Sequence, residues 1–170
     1  MRKLCHVLKT SHDRLTETIY WLGILCLSFI LAMFCYEIVA RYFFRSPSRW
    51  ISDYTGYALL FSTFFLAPRI ARFHGHIQVS FVQEALRGRA KSLLGAALFL
   101  MAAGACAWAG WYAVEEATRQ YARNIQTMAA VSVPKWWMSA AIAYGFLNSM
   151  LYYLRHSVAE LRTFPDAATA

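Results

Sequence analysis

Four stretches almost free of charge, each about 19 to 23 residues long, dominate this chain of 170 residues. Each is close to the roughly 20 helical residues that cross a bilayer core. In lipid, every backbone N–H and C=O must be satisfied within the element, so the stretches have to be helices. The sequence therefore predicts an all-α integral membrane protein with four transmembrane helices. Composition supports this, with 59% apolar or aromatic residues and 15% charged. A water-soluble enzyme domain and a disordered chain are both excluded by that balance.

The expected division is a cytoplasmic amino-terminal tail over 1–18, a four-helix transmembrane domain over 19–154 and a cytoplasmic carboxy-terminal tail over 155–170. The tail mixes Arg2, Lys3, Lys9 and Arg14 with Asp13 and Glu17, and its spacing suits a short interfacial helix. Span one runs from Ile19 to Ala40 and span two from Ile51 to Pro68, separated by a Ser46-Pro47-Ser48 turn. Pro68 removes a backbone donor and is expected to kink or stop its helix. Between spans two and three, Ile77, Phe81, Val82, Ala85 and Leu86 recur at helical spacing, which predicts a further helix in the membrane interface. Spans three (Ser92–Val114) and four (Trp136–Leu154) carry small-residue stripes, Ala102, Cys106, Gly110 and Ala141, Gly145, Ser149. Such stripes permit close helix approach in lipid, toward this chain or toward a partner.

The formal net charge is +8. Its placement reads as orientation, not as a nucleic-acid surface. With alternate loops on alternate sides, eleven Lys and Arg fall on one face and six on the other, so the positive-inside rule puts both termini in the cytoplasm, with membrane lipids facing the basic loops. Trp50, Trp111, Trp136 and Trp137 are expected near the outer boundary, where the indole suits the interface. Three of the four cysteines lie in apolar spans and suggest no disulfide framework.

Few residues offer chemistry. Glu37 and Arg41 stand one turn apart near the outer end of span one, the favourable orientation for a helical ion pair. Asp53 enters span two as its only charge and calls for a partner, with Arg41 or Arg45 nearest. The five histidines all lie outside the apolar spans, so no haem ligand projects into a bundle, and His74 and His76 lack companions for a metal. Glu115 and Glu116 close span three. No charged residue falls near the middle of any span, where a coupled carrier usually keeps its ion site. No cofactor and no catalytic residue are expected.

Several motifs occur in a familiar order. Arg41-Tyr42-Phe43-Phe44, Ser46-Pro47, Trp50 and Asp53, then Gly75-His76-Ile77-Gln78-Val79, then Val133-Pro134-Lys135-Trp136-Trp137 and Gly145, together resemble the small membrane subunit of tripartite ATP-independent periplasmic (TRAP) transporters. The likeness extends from about Ile38 to Leu151. It departs from the family pattern at Ser52, where a second acid is common, at Ser80, where an acid is common, and at Tyr144, where a proline is common. The resemblance implies a bacterial inner-membrane, multi-pass subunit without catalytic activity. It implies two partners, a large multi-span membrane subunit holding the solute and sodium sites and a periplasmic substrate-binding protein that delivers a carboxylate. A chain ending soon after span four implies a separate large partner. Two rivals predict other features: a homodimeric small multidrug exporter needs a deep carboxylate, and a membrane-anchor subunit of an oxidoreductase needs haem. On the TRAP reading, Glu37, Arg41, Trp50, Asp53, Gly75, His76, Gly110, Pro134, Trp136 and Gly145 are candidate structural or interface residues.

Overall fold

A computed structural model describes residues 2–44, 49–74, 89–127 and 132–163. The Ser46-Pro47-Ser48 turn, Arg45, Gly75, His76 and the expected interfacial helix lie outside these residues. Among the described residues the chain is all-helical apart from one β-bridge, with α1 (Arg2–Phe44), α2 (Arg49–His74), α3 (Arg89–Ala122) and α4 (Trp136–Thr163). α1 packs on α2, α2 on α4 and α4 on α3, so the helices form the spatial row α1, α2, α4, α3. The order explains an asymmetry in composition. α1 and α3, the outer members, are long and apolar enough to cross a membrane. α2 and α4 occupy the middle and carry hydroxyl side chains at a higher density along their length, groups that neighbouring helices can satisfy in place of lipid.

One glycine marks each of the three packed pairs. A Cβ on Gly23 would collide with the Leu66 side chain, one on Gly145 would lie 2.8 Å from the Phe64 carbonyl oxygen, and one on Gly110 2.8 Å from Leu147. Gly23 thus sets the α1–α2 approach, Gly145 the α2–α4 approach and Gly110 the α3–α4 approach. Gly110 and Gly145 both face helices of their own chain, which decides where those two stripe residues point.

Two segments differ from expectation. α2 does not stop at Pro68 but continues to His74 with Pro68 buried. Proline supplies no N–H to the residue four back, and that residue is Phe64. The Phe64 carbonyl is the group that Gly145 approaches, so α4 covers the place where the helix ladder lacks a donor. α1 also starts well before Ile19, which makes the basic lead part of one continuous helix with the first span.

At its far end the helix α3 is longer than the expected span. α3 continues past Val114 to Ala122, and Tyr121 meets the Trp136 ring edge-on at 5.6 Å. Ten residues of helix are about 15 Å, so Trp111 lies that far along α3 from the turn that meets Trp136. The last turn ends in a Schellman motif: Asn124 takes φ 49°, with Ile125 N–H donating to Gln120 and Asn124 N–H to Tyr121. The chain then returns through a Gln126–Pro134 bridge and a Lys135 N–H to Ile125 carbonyl bond of 3.1 Å.

Candidate functional site

The densest polar grouping lies where the amino-terminal third of α1 meets the carboxy-terminal ends of α2 and α4. α4 presents Tyr144, Asn148, Tyr152 and Arg155 at intervals of four, four and three residues, one face of a helix. α1 offers Asp13 and Thr16 opposite them. The Asn148 amide donates to Thr16 Oγ1 at 3.2 Å and to the Tyr144 hydroxyl at 2.8 Å. Tyr152 Oη lies 3.1 Å from both Asp13 Oδ1 and Thr16 Oγ1. Asp13 is further held by Arg155 at 2.9 Å and by Arg72 of α2 at 3.3 Å. Glu17 pairs with Arg69 at 3.0 Å, and that guanidinium lies 3.8 Å over the Tyr20 ring. Thr16 and Tyr152 are each only 2% exposed.

This arrangement is a clasp. A carboxylate from α1 bridges two arginines on different helices, and the buried hydroxyls and amide fix the rotation of α4 against α1. Asp13 precedes the apolar stretch that begins at Ile19. Burial alone would raise its carboxyl above the usual range, but bonds from Arg155 and Tyr152, with the charges of Arg72 and Arg155, bring it below its ordinary value. Two buried atoms in the clasp, His12 Nδ1 and Asn148 Oδ1, have no hydrogen-bond partner among the described residues, although His12 Nδ1 lies 3.7 Å from Asp13 Oδ1. His156 Nε2 contacts the Arg72 carbonyl at 3.2 Å, and Ser157 donates to the Ala96 carbonyl on α3, so all four helices are tied at this end.

The opposite end carries the residues singled out from sequence. Arg41 donates to Glu37 at 3.0 Å, an i, i+4 pair on α1 with Glu37 mostly shielded and Arg41 mostly exposed. Asp53 is half-buried on the first turns of α2. Trp50 meets Tyr54 edge-on, Pro134 forms the bridge to Gln126, and Trp136 packs between Tyr121 and Trp137. Glu116 binds Arg119 and Gln120, and the Gln120 side-chain oxygen accepts from Ser139 of α4 at 2.9 Å. Glu37 and Arg41 come together as expected, whereas Gly110 and Gly145 sit apart, in two different helix seams. Sequence reasoning missed the clasp. Its signal was the polar repeat on α4 inside an otherwise apolar span, which calls for a polar face on another helix.

Among the described residues, no three His, Cys, Asp or Glu side chains converge as metal ligands would. Fold and sites together define a helical membrane protein whose polar side chains largely bind its own helices to one another. The chain belongs to the DctQ component family of the tripartite ATP-independent periplasmic transporters, whose pattern matches residues 30–163. It is therefore the small membrane component of such a transporter, and its polar clasp begins ahead of the matched region. No curated protein matches the chain.

Proposed function

We propose that the chain is a non-catalytic scaffold in the inner membrane, bracing the large transport subunit and helping to dock the periplasmic binding protein during sodium-coupled uptake of a carboxylate solute. The family match carries this reading. The charge distribution supports it, because Asp13, Glu17, Glu37 and Glu116 are all engaged with arginines of the same chain near helix ends. A carboxylate already bound by two guanidinium groups is a poor ion carrier and a good helix fastener.

In this reading the chain crosses the membrane four times with both termini cytoplasmic, residues 19–154 forming the embedded unit and the clasp lying at the inner face. Glu37, Arg41, Trp50, Asp53, Pro134 and Trp136 then cluster at the outer face, where the binding protein arrives, and Gly75 and His76 belong to the inner connector. The large apolar side chains exposed along α1 and α3, among them Leu25, Leu31, Phe34, Leu100 and Met101, face lipid or the large subunit. Liposomes holding the large subunit, the binding protein and a sodium gradient, with and without this chain, test the proposal. Uptake that requires this chain is expected. Full uptake by the large subunit without it, or uptake by this chain alone, would overturn the accessory role.

A further inference from the structure

Three guanidinium groups meet two carboxylates in the clasp. Arg72 and Arg155 share Asp13, at 3.3 and 2.9 Å, while Arg69 takes Glu17 at 3.0 Å. Among these five groups one positive charge is left over. The exposed Arg14 on α1 adds to the surplus, and the carboxy-terminal end of α2, just past Arg72, takes back about half a charge. Arg69, Arg72 and Arg155 have side chains only 26%, 33% and 35% exposed, so water compensates them less fully than it would on an open surface. Donors are in surplus too. A guanidinium carries about five N–H groups and a bidentate carboxylate takes about two, so N–H groups remain for a further acceptor.

We propose that these arginines hold the phosphate of an anionic phospholipid, which serves as the missing counter-ion of the clasp. Depth selects lipid over a free anion. Glu17 and Asp13 precede the charge-free stretch at Ile19 by about 3 and 9 Å of helix, and the headgroup layer beside the hydrocarbon is about 5 to 8 Å deep. Lipid phosphates therefore lie at the level of the guanidinium groups. The neighbouring surface is also amphipathic. The exposed Phe73 ring lies 5.5 Å from the Arg69 guanidinium and 5.2 Å from that of Arg72, with exposed Ile70 on the intervening turn. On the other side Arg69 covers Tyr20, whose ring meets the exposed Trp21 edge-on at 6.1 Å, and Trp21 leads to exposed Leu22 and Leu25. A free phosphate would answer the charge and leave these side chains bare. A phospholipid answers both, with its chains running down the apolar face of α1. This site rests on the chain's placement in a membrane and not on its transport role, so the chain can be tested without its partners.

The test is native mass spectrometry of the full-length protein in neutral detergent, offered equal amounts of phosphatidylglycerol and phosphatidylcholine with identical acyl chains. Phosphatidylglycerol should be retained about five times more, equivalent to the roughly 1 kcal/mol of one basic side chain near anionic lipid. Arg155→Gln and Arg69→Gln should each bring the ratio toward one, and Arg123→Gln, at the opposite end of the molecule, should leave it unchanged. Asp13→Asn is the sharper variant. It weakens the clasp yet enlarges the charge surplus, so the ratio should rise, to about twenty. If Arg155→Gln fails to fold, Arg69→Gln, which leaves the bonds to Asp13 in place, decides. Equal retention of the two lipids, a ratio indifferent to both arginine variants, or a fall in Asp13→Asn overturns the proposal. Loss of the preference in millimolar inorganic phosphate overturns it in favour of a free-anion site, and its loss in the complex with the large subunit overturns it in favour of a protein carboxylate.

Discussion

Asp13 connects the most partners of any side chain in the clasp, and its removal should show. Asp13→Ala leaves Arg72 and Arg155 facing each other without their shared counter-charge, a loss expected to cost about 2 kcal/mol given the range for broken, partly buried pairs. Asn148→Leu removes one interhelical hydrogen bond, to Thr16, and one within α4, to Tyr144, and should cost less, about 1 kcal/mol, because such bonds in membranes are individually modest. Thermal unfolding in detergent measures both. The sign of the pH dependence follows from the direction of the shift. Asp13 is held below its ordinary value of 3.8, so its contribution is complete above that pH and is lost as pH falls through the lower folded value. The stability gap between wild type and Asp13→Asn should therefore close in acid, below about pH 4. A gap that stays constant from pH 7 to pH 3 would contradict the charged clasp.

At the level of elements, four helices and their approximate positions were legible because charge-free runs of bilayer length admit no other regular structure. The Glu37–Arg41 pair was legible for a similar reason, since one helix brings i and i+4 together whatever surrounds it. What could not be read was which faces meet. The small-residue stripes show that Gly110 and Gly145 permit close approach, but the partner depends on the spatial order α1, α2, α4, α3, which differs from chain order. Asp13 and Thr16 looked like part of a polar tail because their partners lie more than 130 residues away. Pro68 looked like a kink or a stop, and the stop is avoided where the carbonyl it deprives is covered by a different helix. Gly145→Leu should therefore separate α2 from α4 by colliding with the Phe64 backbone, which cannot rotate away, and should be severe, at about 3 kcal/mol or more. Gly110→Leu meets the Leu147 side chain most closely, with the backbone no nearer than an ordinary contact of 3.5 Å, and should be milder. Equal losses in the two variants, read by thermal unfolding, would show that the backbone contact at Phe64 is not special. At the other end, the proposed tie between Asp53 and Arg41 or Arg45 is read by a double-mutant cycle of Asp53→Ala with Arg41→Ala; strict additivity would remove Arg41 as the partner.

For the whole molecule, the orientation proposed here is read directly by reporter fusions. Alkaline phosphatase should be active when fused after Gln126 and inactive when fused after Leu154, and the reverse pattern would invert the protein. The clasp also bears on how such a chain is made. Its α1 groups are synthesised first, but Asn148, Tyr152 and Arg155 arrive last, with Asp13 and Arg155 separated by 142 residues. Until α4 emerges from the ribosome, Arg72 and Arg69 of α2 are the arginines among the described residues that quiet the acids at the shared end of α1 and α2. An unfinished chain therefore displays Thr16 and part of Asp13 unclasped, polar groups at a helix surface that a completed chain hides. Clasp closure thus reports that translation has reached α4, and a membrane protease that recognises exposed polar groups would distinguish finished from truncated subunits. Chains arrested before Asn148 should turn over faster in pulse-chase labelling than chains arrested just after Ser157, although both contain α1, α2 and α3.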